Sequence, residues 1–199
     1  MQMMPEFPDK HFDLAIVDPP YGLADKLKPR GGMIGNSFDG MGAGTWDNAA
    51  PDAEYFREMF RVSRLQIIWG GNYFLEHLHS TQCFIVWDKN NGTNPMADCE
   101  LAWTNCPGVV RKFTMHHFNA GYGKKIHPTQ KPVKLYEWLL TKYAKPGWRI
   151  LDTHMGSGSL AIACHKLGHP LTACEIDPTY YENAIERIKT EQRQTRLFT

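Results

Sequence analysis

Short apolar runs alternate along the chain with segments in which apolar residues recur every three or four positions. The first pattern predicts buried strands, and the second predicts amphipathic helices. The predicted strands cover residues 12–17, 65–69, 83–87, 100–104, 108–113, 148–152 and 171–175. The predicted helices cover residues 53–63, 74–79, 132–145, 159–167 and 178–192. Strands interleaved with helices indicate an α/β fold with a mainly parallel sheet flanked by helices.

Chain length and hydropathy narrow the class of protein. A chain of 199 residues is long enough for one domain with a substantial core, so we expect residues 1–199 to form a single domain. No stretch approaches the ~18 consecutive apolar residues of a membrane span, and the N-terminus lacks the pattern of a signal peptide. These features predict a cytoplasmic protein without membrane association.

The strand predicted at 12–17 runs directly into Asp18-Pro19-Pro20-Tyr21. A carboxylate, two rigid peptide units and an aromatic ring therefore stand at the mouth of a buried strand. Proline restricts the residue before it to extended geometry and removes competing N–H donors. This arrangement is suited to holding a flat base by its exocyclic amine. Taken alone, the segment is also compatible with a proline-rich strand exit whose tyrosine covers the core.

A glycine-rich turn lies between the strand predicted at 148–152 and the next helix. Its glycines, Gly156 and Gly158, fit the G-x-G-x-x-A pattern of dinucleotide-binding turns. Asp152 at the end of the strand would repel a pyrophosphate but suits the ammonium of a methionine moiety. Glu175 ends the following strand and suits hydrogen bonds to ribose hydroxyls. The turn therefore favours S-adenosylmethionine over NAD, and a strand–helix turn without a ligand is the simpler alternative.

The cysteines and histidines do not indicate a disulfide framework or a metal centre. The five cysteines include no Cys-x-x-Cys pair and occupy positions 83, 99, 106, 164 and 174. They predict reduced, mostly buried thiols. His116, His117 and His127 have no carboxylate or cysteine at ligand spacing nearby, so no metal site is predicted.

The order of these motifs resembles that of the beta-group DNA amino-methyltransferases, in which the catalytic half precedes the cofactor half. The resemblance runs from Phe12 to about Ile188 and includes segments 68–73, 86–89 and 127–132. It implies a Rossmann-like S-adenosylmethionine-dependent methyltransferase fold. The cofactor contacts that it implies are Asp152, Gly156, Ser157, Gly158 and Glu175, with Thr129 and Lys131 approaching the methionine carboxylate.

The same resemblance implies that catalysis rests on Asp18, Pro19, Pro20 and Tyr21. The Asp18 carboxylate and the Pro19 carbonyl can each accept one N–H bond from the amine, and Tyr21 would stack on the target base. The amine is unreachable inside a duplex, so the nucleotide must flip out. No covalent enzyme intermediate is required, which separates this chemistry from cytosine C5 methylation.

Basic residues are concentrated in one part of the chain. Residues 111–149 contain nine Lys/Arg and one acid, whereas residues 1–110 contain eight Lys/Arg and fourteen acids. Beside a site that handles a base, such a segment favours a surface for DNA phosphates over a plain solvated face. The candidate DNA contacts are Arg111, Lys112, Lys124 and Lys125. Residues 22–48 and 105–126 are candidate DNA-contacting loops, and the first is too long for an ordinary connection.

These features together predict a site-specific methyltransferase for adenine N6 in double-stranded DNA, of the restriction–modification type. Cytosine N4 is the near alternative because the same geometry serves another exocyclic amine. In the family that the chain resembles, aspartate at the position of Asp18 leans toward adenine and serine toward cytosine. A non-catalytic DNA-binding module with a degenerate cofactor site is a third possibility. Only about eleven residues precede Phe12, where related enzymes have a further strand that helps hold the cofactor's adenine. The small space for a target-recognition domain predicts relaxed specificity, a short site or reliance on a homodimer.

Overall fold

A computed structural model describes residues 3–23, 47, 49–92, 97–116, 126–127 and 129–196. Of the candidate loop at 22–48, only residues 22, 23 and 47 lie among them. Of the candidate loop at 105–126, residues 117–125 lie outside the described residues.

The described residues form a seven-stranded sheet in the order β5-β3-β4-β2-β1-β6-β7. The strands are β1 (Phe12–Val17), β2 (Ser63–Trp69), β3 (Phe84–Asp88), β4 (Cys99–Thr104), β5 (Arg111–Thr114), β6 (Ile150–Asp152) and β7 (Leu171–Ala173). Strand β4 runs antiparallel to both of its neighbours, and the other four pairs are parallel. The predicted mainly parallel sheet is confirmed.

The helices are α1 (Ala53–Val62), α2 (Val133–Tyr143), α3 (Ser159–Leu167) and α4 (Pro178–Arg196). The side chain of Asp52 begins α1 by accepting a hydrogen bond from the Tyr55 amide at 3.0 Å. The helix predicted at 74–79 is wrong, because a 3₁₀ helix at Gly71–Tyr73 and a turn occupy this region. Gly70 has φ of +67°, which reverses the chain here, and six residues are too few to sustain an α-helix by themselves.

Strand β1 lies inside the sheet, between β2 and β6, and is buried on both faces. Leu14 and Ile16 point into the core that contains α2 and α3, whereas Ala15 and Val17 point into the core beneath α1. A strand buried on both sides needs apolar residues at successive positions, which explains the unbroken run at its end.

The parallel pairing of β1 with β2 and β6 determines where the functional side chains meet. Val17 pairs with Ile68 of β2, and Ala15 pairs with Leu151 of β6. The carboxyl ends of these strands therefore lie at one edge of the sheet, where open α/β sheets bind their ligands.

Candidate active site

A cavity of about 560 Å³ opens at the carboxyl edge of the sheet. Most of the catalytic and cofactor-binding residues predicted from the sequence line this cavity. They are Asp18, Pro19, Pro20, Tyr21, Thr129, Lys131, Gly156, Ser157 and Glu175. Asp152 and Gly158 lie behind its wall rather than in its lining. The fold thus brings segments from both ends of the chain into one site of ligand-binding size.

Both oxygens of the Asp18 carboxylate accept a hydrogen bond from another side chain. The Tyr21 hydroxyl donates to Oδ1 at 2.7 Å, and Lys131 Nζ donates to Oδ2 at 2.5 Å. Each carboxylate oxygen can accept a second hydrogen bond. Asp18 is therefore orientated and still able to accept N–H bonds from a ligand.

Lys131 carries its charge in a buried position and binds a second carboxylate. Its Nζ lies 3.1 Å from Glu100, and Lys89 Nζ lies 2.6 Å from the same carboxyl group. Burial opposes the charge of Lys131, but Asp18 and Glu100 raise its pKa above the ordinary value. Burial likewise opposes the charge of Glu100, but Lys131 and Lys89 lower its pKa. Lys131 and Glu100 are therefore both charged at neutral pH.

The Tyr21 ring packs against two other aromatic rings of the protein. It stacks on Tyr73 with ring centroids 4.8 Å apart and planes 19° apart, and it contacts the edge of Phe74. A Cβ on Gly70 would come within 2.2 Å of the ring, so only glycine permits this position. Burial, and then the charge of Asp18, raise the pKa of Tyr21 well above its ordinary value, which keeps the phenol protonated. Stacking of Tyr21 on a target base stays a prediction.

Asp47 fixes the backbone that leaves β1. Its carboxylate accepts hydrogen bonds from the amides of Tyr21, Gly22 and Leu23 at 2.6, 2.9 and 3.1 Å. Asp47 is itself buried. These bonds hold Tyr21 in place from a position 26 residues away in the chain.

The glycine turn and Glu175 form one connected unit. Gly156 has φ of +51°, and its amide donates to Glu175 Oε2 at 2.8 Å. The amide of Asp177 donates to Glu175 Oε1 at 3.0 Å. Gly158 has a different function, because a Cβ there would lie 2.9 Å from Ile188 Cδ1 of α4. Gly156 therefore shapes the cavity, whereas Gly158 lets α4 pack against the turn.

Asp152 is buried at the end of β6, and its Oδ1 accepts a hydrogen bond from the His154 amide at 3.1 Å. Burial, with the nearby charges of Asp18 and Glu175, raises the pKa of Asp152 to about 7. Burial lowers the pKa of His154 to about 4, so its imidazole is neutral. The part of the cavity beside Asp152, Asp18 and Glu175 is therefore suited to a positively charged ligand.

The segment at 127–132 supplies the opposite wall of the cavity. His127, Gln130 and Lys131 are buried, whereas Thr129 is exposed. Ser159 at the start of α3 donates to the Lys131 carbonyl at 2.7 Å, which ties this wall to the glycine turn. Pro128 lies outside the described residues.

Several lining residues were not identified from the sequence. They are Glu100, Lys89, Tyr73 and Ile176. Ile176 directly follows Glu175, is 90% exposed although apolar, and lies in the cavity lining. Its position between two acids in the turn after β7 is a signal that the sequence already contains. Tyr73 and Lys89 lie in the segments 68–73 and 86–89 that carry the resemblance, where neither was given a function. Glu100 carries no such signal, because an isolated charge in a strand is usually solvated.

The candidate DNA contacts are placed only in part. Arg111 and Lys112 are exposed at the start of the edge strand β5, and Lys112 Nζ lies 3.0 Å from Asp88. Lys124 and Lys125 lie outside the described residues.

The described residues contain no group of three His, Cys, Asp or Glu that could hold a metal ion. They also contain no helix long and apolar enough to cross a membrane. All five cysteines are free thiols, and three of them are buried.

Residues 86–186 match the model of a protein family described as DNA methylase, of the N6 and N4 type. M.HpaI of Haemophilus parainfluenzae, a type II methyltransferase, is 35% identical over 85 residues, which are 43% of this chain and 27% of that protein. YubD of Escherichia coli K12, a putative methylase, is 25% identical over 209 residues, covering 97% of this chain and 88% of YubD.

Solved structures share the fold at low sequence identity. M1.HpyAVI in complex with SAM has a TM-score of 0.60 at 20% identity, with 89% of each chain covered. TTHA0409 from Thermus thermophilus, in complex with S-adenosyl-L-methionine, has a TM-score of 0.60 at 20% identity, covering 96% of this chain and 92% of that one. The cytosine-N4-specific PvuII DNA methyltransferase has a TM-score of 0.60 at 14% identity, covering 97% and 88%. The predicted methyltransferase fold is confirmed.

Proposed function

Because this chain belongs to the S-adenosylmethionine-dependent DNA methylase family of the N6 and N4 type, we propose that it methylates N6 of a flipped adenine in duplex DNA. One observation carries the proposal. Asp18, which can accept N–H bonds, lines the same cavity as Gly156 and Glu175, which suit the cofactor. The amine and the methyl donor would then meet within one site.

The residues of the cavity fit S-adenosylmethionine. Glu175 retains acceptor capacity for ribose hydroxyls beyond its two backbone bonds. We assign the ammonium to Asp152, which lies behind the cavity wall, and the methionine carboxylate to the exposed Thr129. Ile176 and Tyr180 in the lining offer apolar and aromatic surface for the purine. When bound, the cofactor supplies an electrophilic methyl group on a positively charged sulfur.

The chain's own contribution to the reaction is the orientation of the amine. The exocyclic nitrogen is a poor nucleophile because its lone pair is delocalised into the ring. Asp18 and the Pro19 carbonyl each accept one of its N–H bonds, which favours a pyramidal nitrogen with a directed lone pair. Fixed acceptors aimed at a developing positive charge are typically worth a few kcal/mol of the barrier. Tyr21 and Lys131 keep the Asp18 carboxylate in place for this.

Cytosine N4 is the alternative substrate, because the same acceptors serve its exocyclic amine and a cytosine-N4-specific enzyme shares the fold. We prefer adenine because aspartate at the position of Asp18 leans toward adenine in the family that the sequence resembles, whereas serine leans toward cytosine. Double-stranded DNA is the partner in both versions, and the basic residues Arg111 and Lys112 are proposed to contact its phosphates.

The experiment is incubation with labelled S-adenosylmethionine and unmethylated duplex DNA, followed by nucleoside mass spectrometry. We expect N6-methyladenine. Detection of N4-methylcytosine would show that the target base is cytosine, with the same type of methyl transfer to an exocyclic amine. Asp18→Ala should abolish transfer and leave cofactor binding largely intact, whereas Glu175→Ala should chiefly weaken cofactor binding. Cofactor binding without any labelled base in the wild-type protein would refute the proposal.

A further inference from the structure

Four charged side chains form a continuous chain at the floor of the cavity, in the order Asp18, Lys131, Glu100 and Lys89. The links are 2.5 Å from Asp18 to Lys131, 3.1 Å from Lys131 to Glu100 and 2.6 Å from Glu100 to Lys89. We call these residues the acid–lysine chain. It begins at the proposed catalytic carboxylate and ends at a lysine in the cavity lining.

Lys131 is the central member and has little freedom to move. It is 4% exposed, and its Nζ lies 5.3 Å from the centre of the Trp69 ring. Its carbonyl is held by Ser159. A buried ammonium needs charged or polar partners, and Asp18 and Glu100 are those that the structure supplies. Two of its three hydrogens are engaged in this way, and one remains for a ligand.

Glu100 comes from a different part of the sheet than Asp18. It lies in β4, which is separated from β1 by β2, and it pairs across the strands with Trp87 of β3. Lys89 follows β3 and neutralises the second side of Glu100. Glu100 is thus held between two cations, and it directs one of them toward Asp18.

We propose that Glu100 is a positioning residue for methyl transfer, which acts by holding the Lys131 ammonium against Asp18 Oδ2. With Tyr21 on Oδ1, this contact stops rotation of the Asp18 carboxylate, so its remaining acceptor sites keep one direction. The inference rests on the proposed function, because it concerns the carboxylate that would receive the amine.

The charges explain why the chain matters for transfer rather than for folding alone. Asp18 and Glu100 both contact one ammonium. Without the charge of Glu100, the Lys131 ammonium loses one of the two carboxylates that fix its direction, and its contact with Asp18 Oδ2 loosens. The Asp18 carboxylate can then rotate, so its acceptor sites no longer keep one direction toward the amine.

The test compares Glu100→Gln with Glu137→Gln. Glu137 lies on α2 outside the cavity, is similarly exposed and also pairs with a lysine, at 3.5 Å from Lys166. Single-turnover methyl transfer is measured at saturating cofactor and duplex DNA, and the cofactor Kd is measured separately by titration. Displacing a reacting group by about 1 Å can cost on the order of 100-fold in rate. We expect Glu100→Gln to lower the transfer rate by roughly 10- to 100-fold with the cofactor Kd within about threefold, and Glu137→Gln to match the wild type.

Lys131→Met and the double variant complete the design. Because Glu100 acts through Lys131, the double variant should be no slower than Lys131→Met, whereas independent contributions would multiply. Glu100→Asp keeps the charge and should give an intermediate rate, which provides a second test if a neutral variant folds poorly. Circular dichroism and the Tm show whether each variant is folded.

Three results would overturn the inference. One is a Glu100→Gln transfer rate equal to that of Glu137→Gln. Another is a Glu100→Gln variant whose cofactor Kd rises by roughly 10- to 100-fold while its transfer rate at saturating cofactor is unchanged. The acid–lysine chain would then serve cofactor binding. The third is multiplicative effects in the double variant. A wild-type protein that binds cofactor and transfers no methyl group would instead refute the proposed function itself, and this inference with it.

Discussion

We predict that Asp152 makes the affinity for S-adenosylmethionine depend on pH near neutrality. In the ligand-free protein its carboxyl group is buried and has a pKa of about 7. Only the ionised form would attract the cofactor's ammonium, so affinity should fall as the pH drops through 7. With this pKa, the apparent Kd of S-adenosylmethionine should be about fivefold higher at pH 6 than at pH 7, and roughly 16-fold higher at pH 5.5 than at pH 7. An α-amino group titrates near 7.7–8.0, so it stays mostly charged over this range.

The measurement is isothermal titration of the cofactor from pH 5.5 to 7. Asp152→Asn should bind weakly with little change over the range, and Asp9→Asn, at an exposed carboxylate on the surface, should retain the wild-type slope. A wild-type Kd that does not change with pH would refute the reasoning. If the Kd of Asp152→Asn still changes with pH as in the wild type, the pH dependence belongs to a group other than Asp152.

The same residue predicts a stability effect in the absence of ligand. The pKa of Asp152 is raised from 3.8 to about 7 in the folded state, so the folded protein binds more protons than the unfolded chain between these values. Stability is therefore lost as the pH rises through this window, by at most roughly 4 kcal/mol. Asp152→Asn should raise the Tm relative to wild type at pH 7.5 and have much less effect near pH 4. An equal change in Tm at both pH values would contradict the assigned pKa.

Two further substitutions test the position of the Tyr21 ring and a contact with DNA. Gly70→Ala should lower the transfer rate by more than tenfold with cofactor affinity retained, because its Cβ would displace the Tyr21 ring. Gly147→Ala is the matched control, because Gly147 also has a positive φ but nothing lies within 4 Å of the position of its added Cβ. Both variants should lose about 1 kcal/mol of folding stability from the backbone conformation alone. Equal transfer rates in the two variants would argue against a function for the Tyr21 position. Arg111→Ala should weaken duplex binding and reduce the slope of log affinity against log salt by about 0.9 if it removes one phosphate contact, and an unchanged slope would exclude such a contact.

Local sequence patterns were enough to predict several parts of this protein. The apolar run before Asp18 indicated a buried strand, and the glycines at 156 and 158 indicated a strand–helix turn. Since carboxyl ends of parallel strands meet at one edge, the α/β pattern was enough to bring Asp18 and Glu175 to a common site. The physical reason is that burial and backbone geometry act over a few neighbouring residues.

The contacts between side chains within that site depend on the three-dimensional packing of distant segments. Lys131 and Asp18 are 113 residues apart, and no sequence pattern pairs them or places Glu100 beside both. The two glycines of the turn look equivalent in the sequence, yet the packing of Ile188 separates their functions. The helix predicted at 74–79 was wrong because the backbone turn at Gly70 and the contact of Gly71 with Trp103 override local helix preference. Contacts between distant segments depend on how the elements pack, and that information is not contained in any local stretch of the chain.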